Sequence, residues 1–191
     1  MILGSHNSWS YLPPRKWWMR PFAFMAKCQD ADIKTQYEKY GVRCFDLRLK
    51  YDGTKMVVAH GKMVYKITIE ELCDTLEWLN QKKDVCVRVI HEIRTAKERT
   101  EANFKPFWHL SNYLRTHFLN IKFWCGRNLY NWEVDCVFDY NPSCEEKYSS
   151  VCNPKWIDDW WPRIYAWFNN REIREKGTDK DILLIDFVNY G

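Results

Sequence analysis

The run Ile182-Leu183-Leu184-Ile185-Asp186-Phe187 is apolar without a break until a carboxylate interrupts it. A short continuous apolar run of this kind suits a strand buried on both faces, and such strands belong to parallel sheets flanked by helices. The same grammar recurs along the chain. Met1-Ile2-Leu3 runs into Gly4-Ser5-His6-Asn7-Ser8, and Val42-Arg43-Cys44-Phe45-Asp46-Leu47-Arg48 alternates and ends on an Asp and an Arg. Val57-Val58-Ala59 ends on His60-Gly61, and the stretch from Val85 to Ile93 sets Val85, Val87 and Val89 against Arg88, Ile90 and Glu92. Apolar strands whose tails are polar constrain the fold strongly, because they gather the chemistry at one end of a sheet.

Helical periodicity fills the gaps between these strands. Ile33, Tyr37 and Tyr40 share a face in a helix expected over Asp30–Tyr40, with Gly41 as its stop. Thr68-Ile69-Glu70-Glu71 is a capping box that opens a helix with Ile69, Leu72, Cys73, Leu76 and Leu79 as its apolar stripe. A long helix is expected over about 102–118, with Phe104, Phe107, Leu110, Leu114 and Phe118 inward. Tyr51-Asp52-Gly53 reads as a turn, Ile121–Trp124 and Trp132–Phe138 as strands, and Asn153-Pro154 as a helix start that Pro162 should break.

The element order is therefore a mostly parallel α/β one, and the polar strand ends match the face where a β/α barrel carries its chemistry. The chain has 191 residues, 46% of them hydrophobic and 17% aromatic, which suits a single domain over 1–191 with a sizeable core. A full barrel needs about 250 residues, so the expected fold is a short, irregular TIM-like (β/α) barrel. The net charge of +4 is too weak to point to nucleic acid but favours anionic ligands. No apolar run reaches the ~18 residues of a membrane span, and no signal peptide precedes His6, so a cytoplasmic monomer is expected. Of eight cysteines, Cys28, Cys44, Cys73, Cys86 and Cys125 lie in apolar patterns and are expected as reduced core thiols; Cys136, Cys144 and Cys152 match no zinc spacing.

Cleaving a phosphodiester requires a base for the attacking oxygen, an acid for the leaving one and a cation for the charged phosphorane. Histidine suits the first two tasks because it titrates near neutrality, and arginine the third because its fork meets two phosphate oxygens. His6, His60 and Arg48 fill these roles by type. Asp46 lies two residues from Arg48 on the same strand face and can orient it. Asp186 ends the last strand, which borders the first in a closed barrel, so it can hold the His6 imidazole in one tautomer. His91 faces the opposite side of its strand and reads as structural; His109 and His117 read as polar residues of the long helix.

Taken together, Gly4-Ser5-His6-Asn7-Ser8, Gln36, Gly41-Val42-Arg43-Cys44-Phe45-Asp46-Leu47-Arg48, His60-Gly61 and Ile182 to Phe187 resemble, in order, the catalytic X-type domain of the phosphatidylinositol-specific phospholipases C. The resemblance implies an irregular β/α barrel. It implies that His6, partnered by Asp186, activates an inositol 2-hydroxyl, that His60 and Asp46 assist the leaving diacylglycerol oxygen, and that Arg48 stabilises the pentacoordinate phosphate. The implied product is a 1,2-cyclic phosphoinositol. Where calcium-dependent members of the family carry Glu-x-Asp, this chain has Asp46-Leu47-Arg48, as in the metal-independent bacterial type, so no cofactor is expected. Asn7 is similar to the calcium type instead, and with Glu92 it is the place where a divalent ion would sit.

Substrate-binding positions carry over less closely. The resemblance points to Asn7, Glu92, Asp139 and Tyr148 as headgroup contacts, the last within Glu146-Lys147-Tyr148. A carboxylate at Glu92 binds sugar hydroxyls but repels additional phosphates, which disfavours polyphosphorylated inositols. The partner is expected to be a phospholipid headgroup or a soluble phosphodiester. Trp17-Trp18 beside Arg15, Lys16 and Arg20 suits a transient contact with a lipid surface, but packing as a cap over a barrel short of helices is the reading favoured here; Trp160-Trp161 reads the same way, with more weight on packing. Two rivals remain. A metal-dependent glycerophosphodiester phosphodiesterase shares the barrel, but opens on His-Arg-Gly and needs a Glu-x-Asp pair. A barrel that binds a lipid headgroup or phosphosugar without turnover has no need for both His6 and His60.

Overall fold

The computed structural model describes residues 2–93, 98, 100–128, 144–146, 161–176 and 182–190. Its elements are β1 (Ile2–Ser5), a 3-10 helix (Trp17–Met25), α1 (Ile33–Glu38), β2 (Cys44–Tyr51), β3 (Met56–His60), β4 (Met63–Val64), α2 (Ile69–Asn80), β5 (Cys86–Glu92), α3 (Glu101–His117), β6 (Lys122–Asn128), β7 (Cys144–Glu146), α4 (Pro162–Lys176) and β8 (Ile182–Ile185).

The parallel neighbours run β6-β5-β2-β1-β8-β7. The first and last strands of the chain are thus paired, Ile2 to Ser5 in register with Ile182 to Ile185. Among the described residues β6 and β7 do not pair, so the molecule is a mixed α/β sheet of barrel-like strand order whose closure is not shown. The strand expected over Trp132–Phe138 and the helix start at Asn153-Pro154 lie outside the described residues.

Period-2 alternation divides the sheet into two apolar layers. Phe45, Leu47, Leu49, Val85, Val87, Val89, Leu183 and Ile185 pack against helix residues that include Leu72, Leu76, Leu79, Phe107 and Leu114. Cys44, Cys86, Trp124, Ile182 and Leu184 form a second cluster from the opposite face. Gly4 belongs to that inner layer. A Cβ there would run into Leu184 Cδ2 and press on Cys44, so the glycine lets β1 and β8 carry a leucine between them. Two residues further along β1, β2, β5 and β8, past Gly4, Cys44, Cys86 and Leu184, stand His6, Asp46, Arg88 and Asp186.

Thr68 caps α2 reciprocally: its hydroxyl accepts from Glu71 N at 3.1 Å and its N–H donates to the Glu71 carboxylate at 2.8 Å. A cap of this type is worth about 1 kcal/mol. α3 forms where expected, and His91 stacks on its Phe107 with ring centroids 4.6 Å apart. Pro162 differs from expectation: it opens α4 rather than breaking a helix. At the first helical position its missing N–H is not needed and its fixed φ is already helical. β3 also departs from the parallel pattern. It is antiparallel to β2, with Leu49 opposite Val58 and Tyr51 opposite Met56, so the hairpin turning at Asp52-Gly53 brings His60 back over the end of β1.

The aromatic segment does not pack as a cap. No residue of the 3-10 helix is buried; Trp17 is 74% exposed and Trp18 52%. Phe24 stacks on Trp161 at 4.7 Å, and Trp161, Trp167 and Phe168 extend the exposed apolar surface along α4. Only Met19, Ala23 and Met25 of the segment are half-buried, and its large aromatic rings lie on the solvent side. Among the described residues no helix is long and apolar enough to cross a membrane.

Candidate active site

The β1–β8 pairing continues past the strands, His6 N donating to Ile185 O at 3.0 Å, and this sets His6 beside Asp186. The His6 Nδ1 to Asp186 Oδ1 distance is 2.7 Å across 180 residues of sequence. A carboxylate only accepts, so Nδ1 carries a proton, and in the neutral ring Nε2 then presents a lone pair. Two buried amides hold the main chain at this junction. Gln29 Nε2 donates to the carbonyls of His6 and Ile185 at 3.1 and 2.9 Å, and its Oε1 accepts from Val188 N at 3.1 Å. From α4, Asn170 Nδ2 donates to the carbonyls of Asp186 and Phe187 at 2.7 and 3.0 Å.

Asp46 is the hub of the second strand and is wholly buried. Its Oδ2 accepts from Arg48 Nε at 2.8 Å and from the backbone N–H of Asn7 at 2.9 Å, and it lies 4.0 Å from His6 Nε2. Its Oδ1 lies 3.3 Å from Arg88 Nη1. Arg48 also approaches Glu92, Nη1 to Oε2 at 3.5 Å, while Glu92 Oε1 accepts from Gly61 N at 2.7 Å. That last bond pins the residue after His60. Arg48 is thus held between Asp46 and Glu92 and Arg88 lies against Asp46, and each carboxylate also receives a backbone donor, which offsets the cost of taking charge out of water.

His60 Nδ1 donates to the Ala26 carbonyl at 3.2 Å, leaving Nε2 for chemistry. The His6 and His60 rings meet edge to face, centroids 5.6 Å apart and planes at 88°. Burial pushes the His60 pKa below the usual histidine value; Glu92 opposes this, while Arg48 and His6 add to it. Tyr65 shares the Ala26 carbonyl at 2.8 Å and accepts from Asn7 Nδ2 at 3.1 Å; burial drives its phenol well above the usual range.

The structure therefore brings together His6, Asn7, Asp46, Arg48, His60, Glu92 and Asp186. Asn7 adopts a positive φ of 44°, aims its N–H at Asp46 and uses its side-chain amide on Tyr65. Asp139 and Tyr148 lie outside the described residues. Arg88 was not singled out by sequence, although it shares a strand face with Glu92, and that alternation was its available signal. Tyr65 and Gln29 carry no local signal. Cys28 was read as a core thiol; it is reduced and 1% exposed, but its Sγ lies 3.9 Å from His60 Nδ1. Among the described residues, His6, Cys28 and Asp186 are the group whose donor atoms could converge on a metal ion.

No protein-family model and no curated protein matches the sequence. In fold, the chain is similar to the phosphatidylinositol-specific phospholipase C from Listeria monocytogenes, with a TM-score of 0.62 and 14% identity, over 97% of this chain and 87% of that one. The likeness extends over nearly the whole chain at the level of architecture, so the barrel-like strand order that assembles the two histidines is that of a known fold.

Proposed function

We propose that the protein is a phosphodiesterase of the phospholipase C type that cleaves a phosphatidylinositol-like phosphodiester. The observation that carries this reading is the pair of imidazoles 5.6 Å apart, His6 buried and backed by Asp186, His60 half-buried and backed by a carbonyl, beside a guanidinium held by Asp46.

In this scheme His6 Nε2 takes the proton of a headgroup hydroxyl, whose oxygen attacks phosphorus. Asp186 holds the resulting imidazolium. Arg48 faces the charge that builds on the phosphoryl oxygens, and preorganised donors of this kind contribute about 10²–10³ in rate. Protonated His60 gives its proton to the departing alcohol oxygen. A neighbouring hydroxyl as nucleophile yields a cyclic phosphate, which water opens with the histidines' roles reversed. Burial favours neutral His60 in the ligand-free site, and the arriving phosphodiester anion favours the imidazolium. The scheme runs on side chains alone.

A metal-dependent glycerophosphodiester mechanism is less well supported. Its Glu-x-Asp pair would fall on Asp46 and Arg48, so a guanidinium stands where the second carboxylate is needed, held against Asp46 and Glu92. The exposed Trp17, Trp18 and Phe22, flanked by Arg15, Lys16 and Arg20, support a substrate presented at an anionic membrane surface. The test is turnover in excess chelator of vesicles of phosphatidylinositol, of phosphatidylcholine and of soluble glycerophosphoinositol. Release from the inositol lipids above all others is expected; equal indifference to all three contradicts the reading.

A further inference from the structure

The geometry points to a second use of the same site: His6, Cys28 and Asp186 form a binding site for a thiophilic divalent ion of the zinc class, and an ion bound there disables His6 as a base. The second half rests on the function proposed above; the first does not.

One ring nitrogen, one thiol sulfur and one carboxylate oxygen lie within 4.8 Å of one another, all on buried residues. Mixed N, S and O donors are the set that zinc prefers, and three protein ligands with a fourth position open is the pattern of a site that exchanges its last ligand. Tetrahedral bonds of about 2.0–2.3 Å need donors roughly 3.3–3.8 Å apart. Cys28 must therefore move in slightly, and the 2.7 Å His6–Asp186 contact must open. The main chain around the three ligands is already braced. Gln29, next to Cys28, donates to His6 O, Ser10 Oγ accepts from Cys28 N at 2.9 Å, and Asn170 holds Asp186 O. Such outer contacts are what fix the orientation of ligands before an ion arrives.

Binding has a defined proton balance. Sulfur coordinates as thiolate, so one proton leaves Cys28 for solvent. From the neutral form of His6, the ion takes Nδ1 and the ring proton moves to Nε2. With Nε2 protonated, no lone pair remains to accept the proton of an attacking hydroxyl. The ion thus replaces the hydrogen bond that prepares the base with a bond that silences it.

The full chain, stripped with chelator, is titrated with Co²⁺ as spectroscopic probe and then Zn²⁺. The wild type is expected to take up Co²⁺ with a thiolate-to-cobalt absorption that Zn²⁺ displaces. Cys28→Ser is expected to lose that band and bind Zn²⁺ at least 10-fold more weakly, whereas Cys73→Ser keeps both. Imidazole ¹H–¹⁵N spectra of the wild type need no variant: the His6 proton is expected on Nδ1 without ion and on Nε2 with Zn²⁺. A cobalt band absent from the wild type, or unchanged in Cys28→Ser, overturns the site. A proton that stays on Nδ1, or turnover that rises with occupancy, overturns the switch. Failure to cleave any phosphodiester, with the tautomer shift intact, would overturn the proposed function and leave the ion site standing.

Discussion

The imidazole of His60 and the carbonyl of Ala26 are joined by a 3.2 Å hydrogen bond, and Ala26 is the residue that closes the exposed aromatic 3-10 helix. The segment that presents Trp17 and Trp18 to solvent therefore ends on the atom that orients one of the two histidines. The surface and the chemistry share a single stretch of backbone.

Burial lowers the native pKa of His60, and this has a signed consequence for stability. The unfolded chain takes up a proton near 6.5, but the native state resists it. The stability is fully present above that value and is lost as pH falls through 6.5 toward the lower native value. Denaturation measured across this range, with chelator present, is expected to show stability rising with pH, and His60→Gln is expected to flatten part of the slope. An unchanged slope would place the native value of His60 at its unfolded one. For turnover, kcat/KM is expected to fall as pH rises above the lowered value, because the free enzyme loses its acid.

Asp186→Asn keeps the shape of the side chain but offers an amide where His6 needs an acceptor. The ring then favours the wrong tautomer, and kcat is expected to fall about 10³–10⁴-fold, the scale of losing the carboxylate of a hydrolytic triad. Steady-state kinetics on the wild type and the variant measure it. A loss under 10-fold would mean that Asp186 does not set the His6 tautomer.

Arg48→Lys preserves charge but not geometry. A lysine cannot reach both Asp46 and Glu92 in the way that Nε and Nη1 do, at 2.8 and 3.5 Å. Turnover is expected to drop about 10²-fold or more, and stability by about 1–3 kcal/mol, since one ammonium cannot keep both charge-assisted contacts and leaves a buried carboxylate short of a donor. Kinetics and urea melts of the same sample separate the two effects.

Gly4→Ala places a methyl group against Leu184. Overpacking of this kind costs about 1–3 kcal/mol. Leu184→Ala is destabilising by itself through the cavity it leaves, but the double variant is expected to be more stable than the sum of the two predicts, because the new methyl fills vacated space. Strict additivity in denaturant would mean that β1 and β8 do not meet as described.

Much of the architecture was legible because strand and helix periods differ. The runs at Cys44–Tyr51, Cys86–Glu92 and Ile182–Ile185 announced themselves by pattern, and the Thr68–Glu71 cap by its four-residue signature. The candidate site was legible where its residues follow such runs, as His6 and Asp186 do; Asp46 and Arg48, expected at a strand end, lie inside β2, which runs on to Tyr51. What local pattern cannot carry is strand direction and long-range partnership. β3 reads like any short strand, and only its pairing shows that it returns antiparallel. Cys28 and Tyr65 reach the site from a loop and from the residue after a two-residue strand, and nothing near them in sequence marks the destination. Pro162 has the opposite meaning at a helix start from the one it has inside a helix, and the difference lies in where the helix begins.

The central claim is that His6 and His60 act as base and acid on a phosphodiester. Its most direct test is ³¹P NMR of the purified protein with phosphatidylinositol vesicles in excess chelator, beside His6→Ala and His60→Ala. The account predicts a cyclic phosphate resonance with the wild type and a loss of at least 10² in its rate of appearance in each variant. A resonance that persists in either variant, or one that requires added divalent ion, would contradict it.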